Sequence, residues 1–397
     1  MLKYIQNKQA RVINSISTSF VREKYIKKLV SKNRLVALIG QRGVGKTTLL
    51  LQYLKQNYKI TEYLYFSADD SYIINSSLYD IVDEFVRLGG KVVAIDEIHK
   101  YASWANEMKT IYDSFPELII RLSGSSMLNI INEKFDLSRR LVISEVKPLS
   151  FREFLNLYAN IDLPILSMQD ILENHNELST KLALEHTQLY KHFLTYLKIG
   201  YYPFFLEDEE EYKNKLFNAS DKIINEDIPS LNKIDYVHLS IFKKLLANII
   251  YAKVPYKVNI SALCKEFGIS HPTLQTYLEI LHSSQLIQGI KKYSKTISKK
   301  PQKLLLGNTN LLYTFADEFG VDVDVGSVRE TFFASCFDDI YYSDIGDFKV
   351  GKYIFEVGGK NKSFKQIKDL PDSYLVIDTD YSMEQNKIPL WLFGFLY

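Results

Sequence analysis

Eight consecutive residues, Gly40-Gln41-Arg42-Gly43-Val44-Gly45-Lys46-Thr47, carry the most specific chemistry in this chain. Glycines at this spacing let backbone N–H groups turn inward around phosphate oxygens. Lys46 reaches the β and γ phosphates, and the Thr47 hydroxyl suits a Mg²⁺ shell. The apolar run Leu35–Ile39 before the loop predicts a strand, and residues 48–55 after it predict a helix that begins at Thr48. Bound phosphates would then face a helix N-terminus, whose dipole favours them. The arrangement predicts a site for ATP/ADP with Mg²⁺.

Two carboxylates follow the apolar run 92–95. Asp96 is placed to share the Mg²⁺ with Thr47, and Glu97 to polarise a water, the two tasks that phosphoryl transfer requires. The run 118–122 ends in Leu122-Ser123-Gly124-Ser125-Ser126. Ser123 or Ser125 could sense a γ phosphate there, and the same residues also read as a turn that closes a strand. Arg139 and Arg140 stand just before the run 141–146. A guanidinium delivered to the γ phosphate, in cis or from a neighbouring subunit, is a large rate term in such enzymes; a surface ion pair is the other reading.

These groups need a scaffold. Apolar runs at 35–39, 63–66, 92–95, 118–122 and 141–146 leave room for helices between them, which predicts an α/β core over residues 1–150 with a five-stranded parallel sheet and its ligand site at the carboxyl ends of the strands. The 397 residues, 46% of them hydrophobic, suffice for several domains. Forty-nine Lys and Arg against 47 Asp and Glu give a net charge of +2, so any nucleic-acid contact must come from local patches. Cys264 and Cys336 match no metal or redox spacing and imply a reducing compartment. No apolar run approaches the ~20 residues that span a bilayer, and the first ten residues lack a signal core, so a cytoplasmic protein without a membrane partner is expected.

Residues 151–233 show apolar residues at helical spacing and only one arginine, Arg152. Residues 234–300 read as a helix-turn-helix: a short helix stops at Gly268, Ser270 caps the next, and Pro272 lies in its first turn. From Ile280 to Ala316 there is no acidic residue, yet Lys291, Lys292, Lys295, Lys299, Lys300 and Lys303 fall where a winged helix has its hairpin. A phosphate-tracking wing over residues 291–303, with DNA as partner, is one reading; a packing module is the other. Residues 301–397 form a fourth segment.

The strings Gly-Gln-Arg-Gly-Val-Gly-Lys-Thr (40–47), Ile-Asp-Glu-Ile-His-Lys (95–100) with Trp104 after it, Leu-Ser-Gly-Ser-Ser (122–126), and Ser-Arg-Arg-Leu (138–141) leading to Lys-Pro-Leu-Ser-Phe-Arg-Glu-Phe (147–154) resemble the bacterial and archaeal AAA+ P-loop ATPases that carry a C-terminal domain of unassigned function. The motifs keep their order, and the resemblance covers most of the chain. It implies nucleotide roles for Gly40 to Thr48, Mg²⁺ roles for Thr47 and Asp96, a water-activating Glu97, a first sensor at Ser123 or Ser125, and a trans-acting arginine at Arg139 or Arg140. It further implies a helical lid over 151–233 and an α/β restriction-endonuclease-like domain over 301–397. Nucleases of that fold hold a divalent metal with an Asp and a Glu-x-Lys; Asp347 and Glu356 fit, but Lys360 follows Glu356 by four residues. Four extended residues cover about 13 Å, too far without a bulge at Gly358-Gly359, so a degenerate domain is expected. Two functions remain in view: an ATPase that switches a winged-helix and nuclease-like arm on DNA, and a nucleotide-controlled signalling or scaffold protein with slow turnover. Either is compatible with a homo-oligomer.

Overall fold

A computed structural model describes residues 1–124, 137, 139–229, 234, 236–252, 255–293 and 300–397. The chain divides into two compact units, Met1–Pro148 and Leu149–Tyr397.

The first unit is built on five parallel strands, β1 (Leu35–Ile39), β2 (Tyr63–Ser67), β3 (Val92–Asp96), β4 (Ile119–Gly124) and β5 (Leu141–Glu145), in the order β2-β3-β4-β1-β5. Every residue of β1 and β3 is buried, as expected of a parallel sheet covered on both faces. The covering helices are α1 (Leu2–Ser15), α2 (Glu23–Leu29), α3 (Lys46–Asn57), α4 (Leu78–Arg87) and α5 (Trp104–Ser114). β1 lies between β4 and β5, and the chain leaves it toward β2 on one side and reaches β5 on the other. The crevice for ligands in such sheets opens at that reversal, beyond the carboxyl end of β1. β2 is an edge strand, and a buried glutamine of α1 serves its outer side. Gln9 Oε1 accepts from Tyr65 N at 2.6 Å, and Gln9 Nε2 donates to Tyr63 O at 3.3 Å. One amide thus replaces a neighbouring strand and blunts the edge.

The second unit contains α6 (Phe151–Ala159), α7 (Met168–Glu185), α8 (Leu189–Ile199), α9 (Tyr212–Lys222), α10 (Tyr236–Tyr251), α11 (Ile260–Phe267), α12 (His271–Ser283), α13 (Thr309–Glu318) and α14 (Val325–Ser335). Its eight-stranded mixed sheet comprises β6 (Tyr256–Lys257), β7 (Ile287–Lys292), β8 (Pro301–Leu306), β9 (Tyr341–Tyr342), β10 (Phe348–Val350), β11 (Tyr353–Gly359), β12 (Ser373–Asp378) and β13 (Lys387–Pro389), in the order β13-β12-β11-β10-β9-β7-β8-β6. Residues expected as separate segments share this unit. The rings of Phe193 and Phe332 meet edge-on at 4.9 Å, and those of Phe151 and Phe395 at 5.6 Å. The buried amide of Asn310 donates to Tyr196 O and Leu197 O and accepts from Tyr201 N.

The two helices expected over residues 260–283 form. Gly268 ends α11 at φ +64°, Ser270 Oγ accepts from Thr273 N, and Leu274, Tyr277, Leu278 and Leu281 are the buried face of α12. The strands expected of a wing hairpin follow it, with residues 294–299 between them outside the described residues. β7 and β8 pair antiparallel, but β7 also pairs with β9 through Lys291↔Tyr341 and Lys292↔Tyr342, so the hairpin lies within the sheet. Alternation along β8 turns Lys303 inward to 3% exposure, where Glu330 and Asp347 meet it, and Lys292 pairs with Asp344 at 2.5 Å. Lys303 is therefore a core ion-pair partner. Lys295 and Lys299 lie outside the described residues.

Candidate functional site: a phosphate loop and its carboxylates

Residues 40–47 occupy the carboxyl end of β1 and lead into α3. Gly40 passes so close to the chain leaving β5 that a Cβ there would stand 2.4 Å from Val146 O, and Gly45 caps α3 at φ +92°. The loop's path therefore requires glycine at both places. The hydrogen bond from Leu49 N to Gly45 O at 3.0 Å opens α3, so the N-terminus of the helix faces the loop, as suits an anion site. The Thr48 side chain is exposed, leaving its backbone as its contribution. Gln41 and Val44 are buried, and Arg42 and Gly43 half-buried. Lys46 is 4% exposed, its ammonium donating to Gly40 O at 3.0 Å and Gln41 O at 2.7 Å. Two backbone carbonyls thus hold the ammonium in place.

Asp96, 4% exposed, ends β3 beside the loop. Its Oδ2 accepts from Thr47 Oγ1 at 2.6 Å and from Tyr65 OH at 3.0 Å, and its Oδ1 accepts from Ser123 Oγ and, at 3.2 Å, from Glu97 N. Burial raises the Asp96 pKa, while the bonds from Ser123, Thr47 and Tyr65 act against that rise. Glu97 has φ +50° and ψ +38°, a left-handed conformation uncommon for a side-chain-bearing residue, and its N–H reaches Ser123 Oγ at 3.2 Å. Its carboxylate lies 3.5 Å from His99 Nε2. Ser123, read from sequence as a phosphate sensor, thus joins β4 to both acidic residues.

The remaining expected residues separate. Ser125 lies outside the described residues. Arg140 makes a two-pronged ion pair with Asp113, at 3.0 and 2.9 Å, and Arg139 is exposed. Three residues to which the motifs gave no role also belong here. Tyr65 and His99 back the two carboxylates, and the buried Arg22 donates to Lys147 O at 2.8 Å and Pro148 O at 3.2 Å, tying α2 to the chain after β5. Alternation in Tyr63-Leu64-Tyr65-Phe66 predicts a strand residue and gives no sign that one phenol meets Asp96.

In the second unit Asp347 and Glu356 do approach one another, as Asp347 Oδ2 accepts from Val357 N at 2.9 Å. β11 pairs with β12 residue for residue from Ile354 to Gly359, and Lys360 is exposed. Lys362 takes its place: a turn closed by Lys362 N and Gly359 O at 2.9 Å folds its side chain over Gly358, and its ammonium meets Glu356 Oε1 at 2.6 Å. Lys303 holds Glu330 and lies 3.8 Å from Asp347. Among the described residues no group of three or more His, Cys, Asp or Glu is placed to hold a metal ion. Glu356 is thus met by Lys362, and Glu330 by Lys303.

Fold and site in the first unit define an AAA-type P-loop ATPase domain. Residues 32–155 match the AAA domain family, and residues 190–319 match a domain of unknown function. The chain belongs to the family of the uncharacterized protein MJ1637 of Methanocaldococcus jannaschii, with which it shares 30% identity over 326 residues, 78% of this chain and 68% of the relative. Among solved structures, the Hsp104–ADP complex of S. cerevisiae matches at 16% identity over 72% of this chain and 41% of that chain, with a TM-score of 0.33. AMPPCP-bound DnaA from Aquifex aeolicus matches at 13% identity over 68% and 91%, with a TM-score of 0.27. The chain spans less than half the length of the Hsp104 chain. No described helix is long and apolar enough to cross a membrane.

Proposed function

We propose that the chain binds Mg²⁺·ATP at residues 40–48 and hydrolyses it, and that turnover switches a winged-helix and nuclease-like arm, residues 234–397, on DNA. The observation that carries this reading is the 2.6 Å bond between Thr47 and Asp96, with Lys46 held in the loop and Glu97 next in sequence. Oxygen donors suit Mg²⁺, which takes one or two protein oxygens together with phosphates and water. Thr47 would hold it, with Asp96 behind, and the ion would supply charge neutralisation on the phosphate oxygens. Lys46 exchanges its carbonyl partners for phosphate oxygens, Glu97 orients the attacking water, and exposed Arg139 rather than paired Arg140 is the arginine offered to a neighbouring subunit. Residues 151–233 serve as the lid. The arm is a winged helix, supported by the order α10-β6-α11-α12-β7-β8 and the β6-β8-β7 pairing, followed by a nuclease-like domain that does not cleave.

A second reading, a scaffold in which bound nucleotide controls assembly, is favoured by the pairing of β7 with β9 and by the internal use of Lys292 and Lys303. One experiment covers both: phosphate release and particle size of the full chain, with and without double-stranded DNA. Lys46→Ala should weaken nucleotide binding about 100-fold. Glu97→Gln should retain ATP and lose turnover by about 10² to 10⁴. Normal release from either variant sinks the ATPase reading. Replacing Lys291, Lys292 and Lys295 together by Glu should flatten the salt dependence of DNA binding, and unchanged binding, with an ATP-dependent multimer, selects the scaffold.

A further inference from the structure

The acceptor capacity of Asp96 is filled by four donors, of which Thr47, Ser123 and Glu97 come from the loop, the adjacent strand β4 and the chain itself. The fourth, Tyr65, belongs to the edge strand β2 and has no place in the nucleotide motifs. The register explains how it reaches. Tyr65 pairs with Ala94, and Ala94 and Asp96 share one face of β3, so the small alanine leaves room for the phenol to lean along the strand to the carboxylate two residues on. Both ends of Tyr65 are fixed: Gln9, 1% exposed, takes its backbone N–H at 2.6 Å, and its hydroxyl meets Asp96 Oδ2 at 3.0 Å. That oxygen also accepts the Thr47 hydroxyl hydrogen, so the phenol and the threonine hold one lone-pair-bearing atom between them.

We propose that Tyr65 is a positioning residue for the Mg²⁺ site. It sets the rotamer of Asp96 so that Oδ2 binds the Thr47 hydrogen, which turns the threonine oxygen's lone pairs outward to the cation. Without the phenol, Asp96 keeps Ser123 and the Glu97 N–H on Oδ1 but is held on Oδ2 by Thr47 alone, and both side chains gain freedom. The inference rests on the Mg²⁺·ATP reading and adds to it a residue that neither touches nucleotide nor ligates the ion.

The test is binding of a fluorescent ATP analogue to the full-length protein, first in EDTA and then across a Mg²⁺ titration. Tyr65→Phe keeps the ring and should raise the Mg²⁺ concentration at half-effect about 10-fold while leaving the EDTA affinity unchanged, the size expected when an outer-shell partner of a metal ligand is lost. In an Asp96→Asn background the same substitution should add nothing. A Tyr65→Phe protein with the wild-type Mg²⁺ midpoint overturns the proposal, as does a loss equal in EDTA and in Mg²⁺, which marks a purely structural role. Should the wild-type protein itself bind the analogue without responding to Mg²⁺, the underlying reading fails and this inference with it.

Discussion

Around Asp96 the carboxylate is surrounded by neutral donors, the hydroxyls of Thr47, Tyr65 and Ser123 and one N–H, whereas in the second unit Glu330 and Glu356 each meet a lysine, Lys303 and Lys362. Neutral donors fix a carboxylate and leave its charge in place; ammonium groups fix it and cancel the charge. The first arrangement is still attractive to an external cation, and the second has already supplied one. Lysines divide the same way. Lys46 donates to two backbone carbonyls, while Lys303 meets the carboxylate of Glu330. Side-chain type therefore does not distinguish a binding site from a structural ion pair in this chain, but the partner's charge does.

The contrast can be tested in the second unit, where substitutions should read as stability and not as affinity. Lys303→Met removes the cation from two carboxylates in a buried setting and should cost about 3–5 kcal/mol of unfolding free energy in urea. A loss below about 1 kcal/mol would show that the pair is solvated and the comparison wrong. Glu330 provides the next effect. Burial, then the charge of Asp347, raise it to about 7 against the pull of Lys303. The folded chain therefore binds more protons than the unfolded one between pH 4.5 and about 7, so this group's contribution to stability falls as pH rises through that window, by at most about 3 kcal/mol. Glu330→Gln should flatten that fall, raising Tm relative to wild type more at pH 8 than at pH 5; an equal shift at both would refute the protonation account. Lys362→Met should give the smallest change, about 1–2 kcal/mol, because its side chain is 40% exposed and water can replace part of it. Its measurement is the same urea curve, and a cost matching that of Lys303→Met would erase the distinction between the two lysines.

The phosphate loop was legible because its function is local. Loop, strand and helix are adjacent in sequence, and glycine is demanded at Gly40 and Gly45 by backbone geometry that no other residue meets as easily. The five strands were legible for the same reason, as buried parallel strands are short apolar runs. The end of one helix at Gly268 and the start of the next at Ser270 were readable, because stop and cap are set by neighbouring residues. Legibility ended where partners came from distant segments. Lys303 reads as one of six wing lysines until β8 turns it toward Glu330, 27 residues on, and Lys362 could not be preferred to Lys360 without the turn after Gly359. The arginines show the same limit, since Asp113 lies 27 residues from Arg140 and only the fold brings them together.

By itself the sequence determined which chemistry the first unit can perform: a phosphate loop on a strand–helix junction, with Asp96 and Glu97 at the end of a further strand. Those properties follow from contiguous residues and survive in any fold that keeps strand, loop and helix in order. Tertiary structure alone decided which charges stay available. Strand register placed Tyr65 on Asp96, and the β7–β9 pairing drew the hairpin into a sheet, with Lys303 turned to the core. Electrostatic cancellation depends on distances of a few ångströms between residues far apart in the chain, and only the folded backbone sets those distances.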